Sequence, residues 1–262
     1  MILTDTHTHQ YYETDLEKLT AQMQRALDSG IERLFLPNVN VSSIRLVMGL
    51  AEAYPQNCFP MLGLHPCDVK PGADAEVGIY KDELAMLKEA IDKYKIYAIG
   101  EIGIDLYWDK TTLAIQQEAF REQIGWAKEL NLPIVIHCRD AFEEVYEILE
   151  GEKDEKFRGI FHCFTGTIQQ ANQIIEMGFY LGIGGVVTYK NSGLDKVVEQ
   201  LNPANIVLET DSPYLTPVPN RGRQNESSYL VHIAQKVADL LQMPVAELAR
   251  ITTENSKNIF SV

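Results

Sequence analysis

Short apolar runs alternate with longer segments of helical periodicity along almost the whole chain. The segment after the first run carries apolar residues at helical spacing: Leu16, Leu19, Met23 and Leu27. Gly30 predicts the end of that helix, and a second helix is predicted from about Ser43 to Ala53. The segment TTLAIQQEAFREQIGWAKELN predicts a long helix capped by Thr111 or Thr112, and two helices around Pro244 close the chain.

The apolar runs have the length and composition of buried strands. They read ILTDTHTH, IERLFLPN, FPMLGLHP, IYAIGEIGID, LPIVIHCRD, GIFHCFTG, GFYLGIGG and NIVLETDSP. Strands that alternate with helices predict a parallel sheet, and eight such units in about 250 residues predict an α/β fold of the (β/α)8 TIM-barrel type. An open doubly wound sheet is the alternative, but no glycine-rich phosphate fingerprint follows the first strand. We therefore expect a single domain over residues 1–262.

Composition narrows the class of protein. The chain is 45% hydrophobic, and 23 basic against 37 acidic residues give a net charge of −14, which disfavours a nucleic-acid binder held by bulk charge. No apolar stretch approaches the roughly 20 residues that span a bilayer, and we expect no signal peptide because the candidate functional residues begin at Asp5. The four cysteines include no C-x-x-C pair. We expect a cytoplasmic monomer with reduced thiols, no membrane association and no obligate protein partner.

Histidines cluster at the predicted carboxyl ends of the strands. Five of the six follow strands, and only His232 lies elsewhere, in an amphipathic segment where it is interpreted as a structural or surface residue. Active sites of such barrels form at the carboxyl ends of the strands. The residues there with metal-ligating side chains are His7, His9, Glu101, His137, His162 and Asp211. Four imidazoles and two carboxylates suffice for two divalent ions about 3.5–4 Å apart.

This donor set predicts a metal-dependent hydrolase. Mixed nitrogen and oxygen ligands suit zinc or manganese, and magnesium is feasible where carboxylate and water dominate. We expect Glu101 to bridge the two ions and to hold a hydroxide between them, which attacks the substrate. Asp211 is expected to bind one ion and to take a proton from the attacking water.

Further polar residues are predicted at the same end of the barrel, which we call its mouth. His65, after the third strand, is expected to contact the scissile phosphate or to assist the leaving group. Glu209 shares a strand face with Asp211 and is expected to support a ligand from inside the barrel. Asp105 and Arg139 follow strands four and five, where a supporting role and a structural salt bridge are equally compatible with the sequence. Tyr107 and Trp108 follow Asp105 and are candidates for stacking on bases or for packing.

Seven motifs in order give the chain a family resemblance: DTHTH, GLHP, GEIGID, LPIVIHCRDA, FHCFTG, LETDSPYL and RGRQNE. Together they resemble the TatD family of metal-dependent deoxyribonucleases, which are amidohydrolase-like barrels. The resemblance implies metal ligands at His7, His9, Glu101, His137, His162 and Asp211. It also implies hydrolysis of phosphodiester bonds in DNA with a divalent metal, as a 3′-5′ exonuclease on single-stranded or damaged ends.

The chain departs from the family pattern in one loop. Where members often show R-G-K followed by N-E-P, this chain has Arg221 and Arg223 and then Ser227 in place of the proline. The two arginines are expected to grip a phosphate beyond the scissile one, since their forked donors suit phosphate. Ser227 is expected to cap the helix that follows.

Two other classes of function compete with the nuclease. An amidohydrolase-type esterase, lactonase or amidase, acting on a small molecule or an aminoacyl-tRNA ester, would use the same ligands. The motif set and the arginine loop favour phosphate, and Glu101 on strand four disfavours the related barrels that use a carboxylated lysine. A non-catalytic binding protein is disfavoured because no ligand has been lost.

Overall fold

The computed structural model describes residues 1–72, 79–154 and 157–262. Within them lie eight strands: β1 (Leu3–Asp5), β2 (Ile31–Pro37), β3 (Cys58–Met61), β4 (Ile99–Asp105), β5 (Ile134–Arg139), β6 (Gly159–Phe161), β7 (Tyr180–Ile183) and β8 (Ile206–Leu208). The α-helices of the same residues are α1 (Leu16–Asp28), α2 (Val41–Ala53), α3 (Ile79–Ile91), α4 (Leu113–Leu130), α5 (Phe142–Glu152), α6 (Ile168–Glu176), α7 (Leu194–Val198), α8 (Leu230–Leu240) and α9 (Val245–Phe260).

All paired strands are parallel and follow one another in chain order. Their ladders form two groups, β1-β2-β3 and β4-β5-β6-β7-β8. An isolated parallel bridge between Leu62 and Ile99 joins β3 to β4, where Gly100 N–H donates to Leu62 O at 3.0 Å. At the other edge, Thr6 N–H donates to Leu208 O at 3.0 Å. The architecture is the predicted (β/α)8 arrangement.

The barrel interior is apolar at one end and polar at the other. A cluster that includes Phe35, Val135, Ile160 and Val207 fills the amino-terminal end of the strands, where Phe260 of α9 stacks on Phe35 with ring centroids 3.7 Å apart. Side chains alternate along a strand, so the residues two positions later also point inward. Those residues are His137, His162 and Glu209. Apolar side chains therefore fill the amino-terminal end of the barrel, and polar side chains line its carboxyl-terminal mouth.

The first two helices differ from the predicted pattern. Leu16 is 76% exposed because it is the first residue of α1, whose buried residues are Gln22, Met23 and Ala26. Leu16, although it has the helical spacing of the other apolar residues, therefore does not belong to the buried face of α1. Helix α2 begins at Val41, two residues before the predicted start, because Asn40 and Ser43 form a capping box.

Two predicted helix caps are also wrong. Thr112 precedes α4, but its side chain makes no capping bond; Asp109 instead accepts the N–H of Thr111 and caps the 3-10 turn before the helix. Ser227 lies in a 3-10 turn of its own before α8, and its hydroxyl donates to the Thr8 hydroxyl at 3.2 Å. In both places a 3-10 turn precedes the helix: Thr112 is the last residue of one such turn, and Ser227 lies three residues before the start of α8.

Among the described residues, no helix has both the length and the apolar character needed to cross a membrane.

Candidate metal centre

The six predicted ligands meet at the mouth of the barrel around Glu101. This residue lies inside β4 and not at its end as predicted, within the stretch from Ile99 to Ile102 where the pairing of β4 with β5 is irregular. Glu101 is 2% exposed. Its Oε2 atom lies 3.1 Å from His7 Nε2 and 3.6 Å from His9 Nε2. The carboxylate is therefore the centre of the cluster.

The second oxygen of Glu101 faces a different set of imidazoles. Its Oε1 atom lies 2.8 Å from both His137 Nδ1 and His162 Nε2, and 3.3 Å from His65 Nε2. Asp211 is on the Oε2 side, with Oδ1 3.8 Å from His7 Nε2. Each oxygen of one buried carboxylate thus has its own group of donors, as a carboxylate shared by two cations requires.

Three groups of side chains have donor atoms close enough to hold an ion. Within the described part of the chain, the groups whose atoms lie within 4.8 Å of one another are His7 with His9 and Asp211; His7 with Glu101 and His162; and His65 with Glu101 and His137. Every predicted ligand belongs to at least one of them. The structure therefore brings together all six residues, and it places His65 beside them.

The outer nitrogen of an imidazole determines whether its inner nitrogen can bind a metal. We assign the tautomer of His9 from Tyr11, whose hydroxyl lies 2.8 Å from His9 Nδ1 and donates its own proton to Pro37 O. The hydroxyl must accept from Nδ1–H, which leaves a lone pair on Nε2. This Nε2 lies 3.3 Å from His7 Nε2 and faces two carboxylates. Acceptors crowded in this way fit a cation between them.

The same reasoning applies to His137. Its Nε2 lies 2.8 Å from Asp105 Oδ2, so the proton resides on Nε2 and Nδ1 presents a lone pair toward Glu101. The other oxygen of Asp105 accepts the backbone N–H groups of Tyr107 and Trp108. Asp105 is therefore held by the loop after β4 and in turn orients His137.

The tautomer of His65 is reversed. The backbone N–H of Cys67 donates to His65 Nδ1 at 3.1 Å, which makes Nδ1 an acceptor. The ring proton therefore resides on Nε2, the atom that faces Glu101 and His137. An imidazole that points N–H into the mouth is a hydrogen-bond donor and not a metal ligand.

Glu209 is fully buried beneath His162. Its Oε1 lies 3.5 Å from His162 Nδ1 and accepts the backbone N–H of Cys163. A Cβ atom on Gly182 would lie 2.3 Å from Glu209 Oε2, so a larger side chain at Gly182 would displace the carboxylate. The sequence prediction that Glu209 points into the barrel is confirmed.

The electrostatics of the two central carboxylates differ. Burial would raise the pKa of Glu101, but the surrounding histidines, His162 and His65 foremost, hold it well below its usual range. Burial raises the pKa of Asp211 to about 6, with His162 and His9 opposing the shift and the charge of Glu101 adding to it. The two carboxylates of the cluster therefore differ in their affinity for a proton.

The arginine loop forms part of the rim. Arg221 and Arg223 are exposed, and the guanidinium of Arg221 lies 4.0 Å above the ring of Tyr189. Glu226, at the end of this loop, pairs with Arg25 of α1 through two hydrogen bonds. His232 is the third residue of α8, and its ring lies 6.1 Å from that of Tyr229.

Three contacts at the site were not evident from the sequence. Tyr11, which orients His9, continues the two-residue spacing of His7 and His9, but a tyrosine at that position is equally typical of a residue that only packs in the core. Asp5 is directed away from the cluster and accepts the N–H and hydroxyl of Thr210, which joins the segments that carry His7 and Asp211. No pattern in the sequence near Arg25 or Glu226 predicts the ion pair between them.

Known proteins resemble this chain over most or all of its length. The family model described as TatD related DNase matches residues 4–261. The metal-dependent hydrolase YabD of Bacillus subtilis is 41% identical over the whole of both chains. The 3′-5′ ssDNA/RNA exonuclease TatD of Shigella flexneri is 35% identical, covering 91% of each. The crystal structure of YjjV, a TatD homologue from Escherichia coli, superposes with a TM-score of 0.89 at 28% identity, over 99% of this chain and 98% of that one. The chain is therefore a metal-dependent hydrolase and belongs to the family of TatD-related DNases.

Proposed function

We propose that this hydrolase cleaves phosphodiester bonds of DNA from the 3′ end, on single-stranded or damaged ends, with two divalent cations at the Glu101 cluster. The observation that carries the proposal is the division of the Glu101 carboxylate between two sets of donors. The name of the Shigella flexneri relative supports an exonuclease on single strands. Magnesium, manganese and zinc are all compatible with this donor set.

The residues would divide the cations as follows. His7, His9 and Asp211 would hold one, His137 and His162 the other, and Glu101 both. When bound, such cations lower the pKa of water and neutralise charge that develops on phosphate oxygens. The side chains would accept and donate protons and would orient the ligands.

Asp211 would accept the proton of the attacking water, since its Oδ1 lies among the ligands of one cation, 3.8 Å from His7 Nε2 and 3.6 Å from His9 Nε2. His65 would donate its Nε2–H to a phosphate oxygen or to the leaving 3′ oxygen, because that proton points into the mouth. Asp105 would keep His137 in the tautomer that leaves Nδ1 free.

The net charge of −14 sets a condition on binding. Attraction for a polyanion must come from the cations and from a few local positive groups. Arg221 and Arg223 are proposed to hold a phosphate beyond the scissile one, and the ring of Tyr189 would fix the position of the Arg221 guanidinium.

A substrate panel tests the proposal. Purified protein with magnesium, manganese or zinc is given labelled single-stranded DNA, duplex DNA, RNA, and a set of small esters and lactones. We expect single-stranded DNA to shorten from its 3′ end, and chelation or Glu101→Gln to abolish the reaction. Turnover of an ester or lactone with every oligonucleotide left intact would replace the nuclease with the small-molecule hydrolase.

A further inference from the structure

We propose that Tyr107, Trp108 and Arg139 form a stacking platform for an unpaired base of the nucleic-acid strand beside the scissile phosphate. This rim platform, as we name these three residues, rests on the proposed nuclease function and specifies its substrate as unpaired nucleic acid. It lies after β4 and β5, away from the arginine loop after β8.

The platform consists of two exposed aromatic rings and one cation. Tyr107 is 53% exposed and Trp108 is 71% exposed. Their ring centroids lie 4.9 Å apart in an edge-to-face arrangement. The guanidinium of Arg139 lies 3.7 Å from the centre of the Tyr107 ring and 5.7 Å from that of Trp108. Arg139 thus covers a face of Tyr107, whereas most of the Trp108 surface is open.

The platform is attached directly to the metal centre. One oxygen of Asp105 accepts the backbone N–H of Tyr107 at 3.0 Å and of Trp108 at 3.2 Å, while the other oxygen contacts His137 at 2.8 Å. Asp105 and Arg139 are partners in the register of β4 and β5. A single carboxylate therefore separates the backbone of the two aromatic residues from a proposed metal ligand.

The chemistry of these groups matches a nucleotide. An aromatic ring in water offers a face on which any unpaired base can stack, whereas the bases of a duplex already cover each other's faces. Arg139 is exposed, and no salt bridge to a carboxylate is found for it among the described residues. Its charge is therefore available to a phosphate on the same strand.

Binding can be followed by the fluorescence of the tryptophans themselves. The chain has two, and Trp126 is only 7% exposed, so quenching by a ligand at the mouth reports on Trp108. The probe is a phosphorothioate oligonucleotide of ten thymidines in the presence of magnesium. We expect this oligonucleotide to quench the tryptophan fluorescence in a saturable way and a duplex of the same length not to quench it. In Trp108→Phe the quenching should disappear while the oligonucleotide still binds.

Activity supplies an independent measurement. Stacking of one base contributes about 1–3 kcal/mol, so Trp108→Ala should lower kcat/KM on single-stranded DNA by roughly 5- to 150-fold, and Trp108→Phe should restore much of the loss. The matched control is Tyr94→Ala, which removes a ring that is 41% exposed at the opposite end of the barrel. An abasic substitution in the substrate, placed one nucleotide at a time, should abolish the difference between wild type and Trp108→Ala at one position.

The outcomes separate this inference from the proposed function. Quenching without cleavage of any oligonucleotide would keep the platform and overturn the nuclease. Cleavage with no quenching, and with Trp108→Ala equal to Tyr94→Ala, would overturn the platform alone. Concentration-dependent self-association that Trp108→Ala abolishes, again without quenching, would show that the rings contact a second copy of the chain and would also overturn the platform.

Discussion

Substitution of Asp105 by asparagine tests the tautomer argument with almost no change in shape. The asparagine oxygen can still accept the N–H groups of Tyr107 and Trp108, so the loop keeps its turn. Its amide would present N–H to His137 Nε2, which must then accept and move the ring proton to Nδ1. The nitrogen that faces Glu101 would lose its lone pair. Loss of such an orienting partner weakens metal affinity or activity by about 10- to 100-fold, or roughly 1.4–2.7 kcal/mol.

Titration calorimetry with manganese measures the affinity without reference to any substrate. The control is Asp109→Asn, which makes the same change four residues along, at an exposed carboxylate that caps a 3-10 turn. We expect the control to bind manganese like the wild type and Asp105→Asn to show one weakened site. Equal affinities in all three proteins, together with a loss in His137→Ala, would refute the assignment of the His137 tautomer.

Three further predictions concern the base, the arginine loop and its anchor. Asp211→Asn should lower kcat by about 100-fold or more because it removes the proton acceptor, and near wild-type turnover would exclude that role. Replacing Arg221 and Arg223 by alanine should raise KM for an oligonucleotide and flatten the dependence of log affinity on log salt concentration, whose slope is about −0.7 per phosphate contact. Cleavage of a small chromogenic phosphodiester should be unchanged. Equal loss of both activities would show that the arginines support the metal site. Burial would raise the pKa of Glu226, but bonds from Arg25 and Ser228 lower it below 4.5. Arg25→Met should therefore cost about 1 kcal/mol of stability at pH 7. Urea unfolding should show that this difference is lost as the pH falls through the lowered pKa of Glu226, and a difference that did not decrease in acid would contradict the pairing.

The histidines of the cluster could be located from the sequence because the period of two along a strand specifies the direction in which each side chain points. Val135 and His137 share one face of β5, and the same step relates Val207 to Glu209 after β8. Once the apolar residue is inside the barrel, its partner two positions later must point into the mouth. No knowledge of the neighbouring strands is needed for that step.

Other features depend on contacts between distant parts of the chain and could not be predicted in this way. The pairing of Asp105 with His137 requires the register of β4 against β5, which includes an irregularity between Ile99 and Ile102. The reversed tautomer of His65 depends on a single backbone N–H, that of Cys67. The exposure of Leu16 follows from where α1 begins relative to the barrel, which helical spacing alone does not specify.

The central claim is that Glu101 is shared by two cations at the mouth of the barrel. Anomalous diffraction from crystals grown with manganese tests it most directly, because the position of each ion is observed without an activity. We predict two peaks, one on each side of the Glu101 carboxylate, among His7, His9 and Asp211 on one side and His137 and His162 on the other. A single peak bound without Glu101, or no peak at the mouth in crystals of active protein, would contradict the claim.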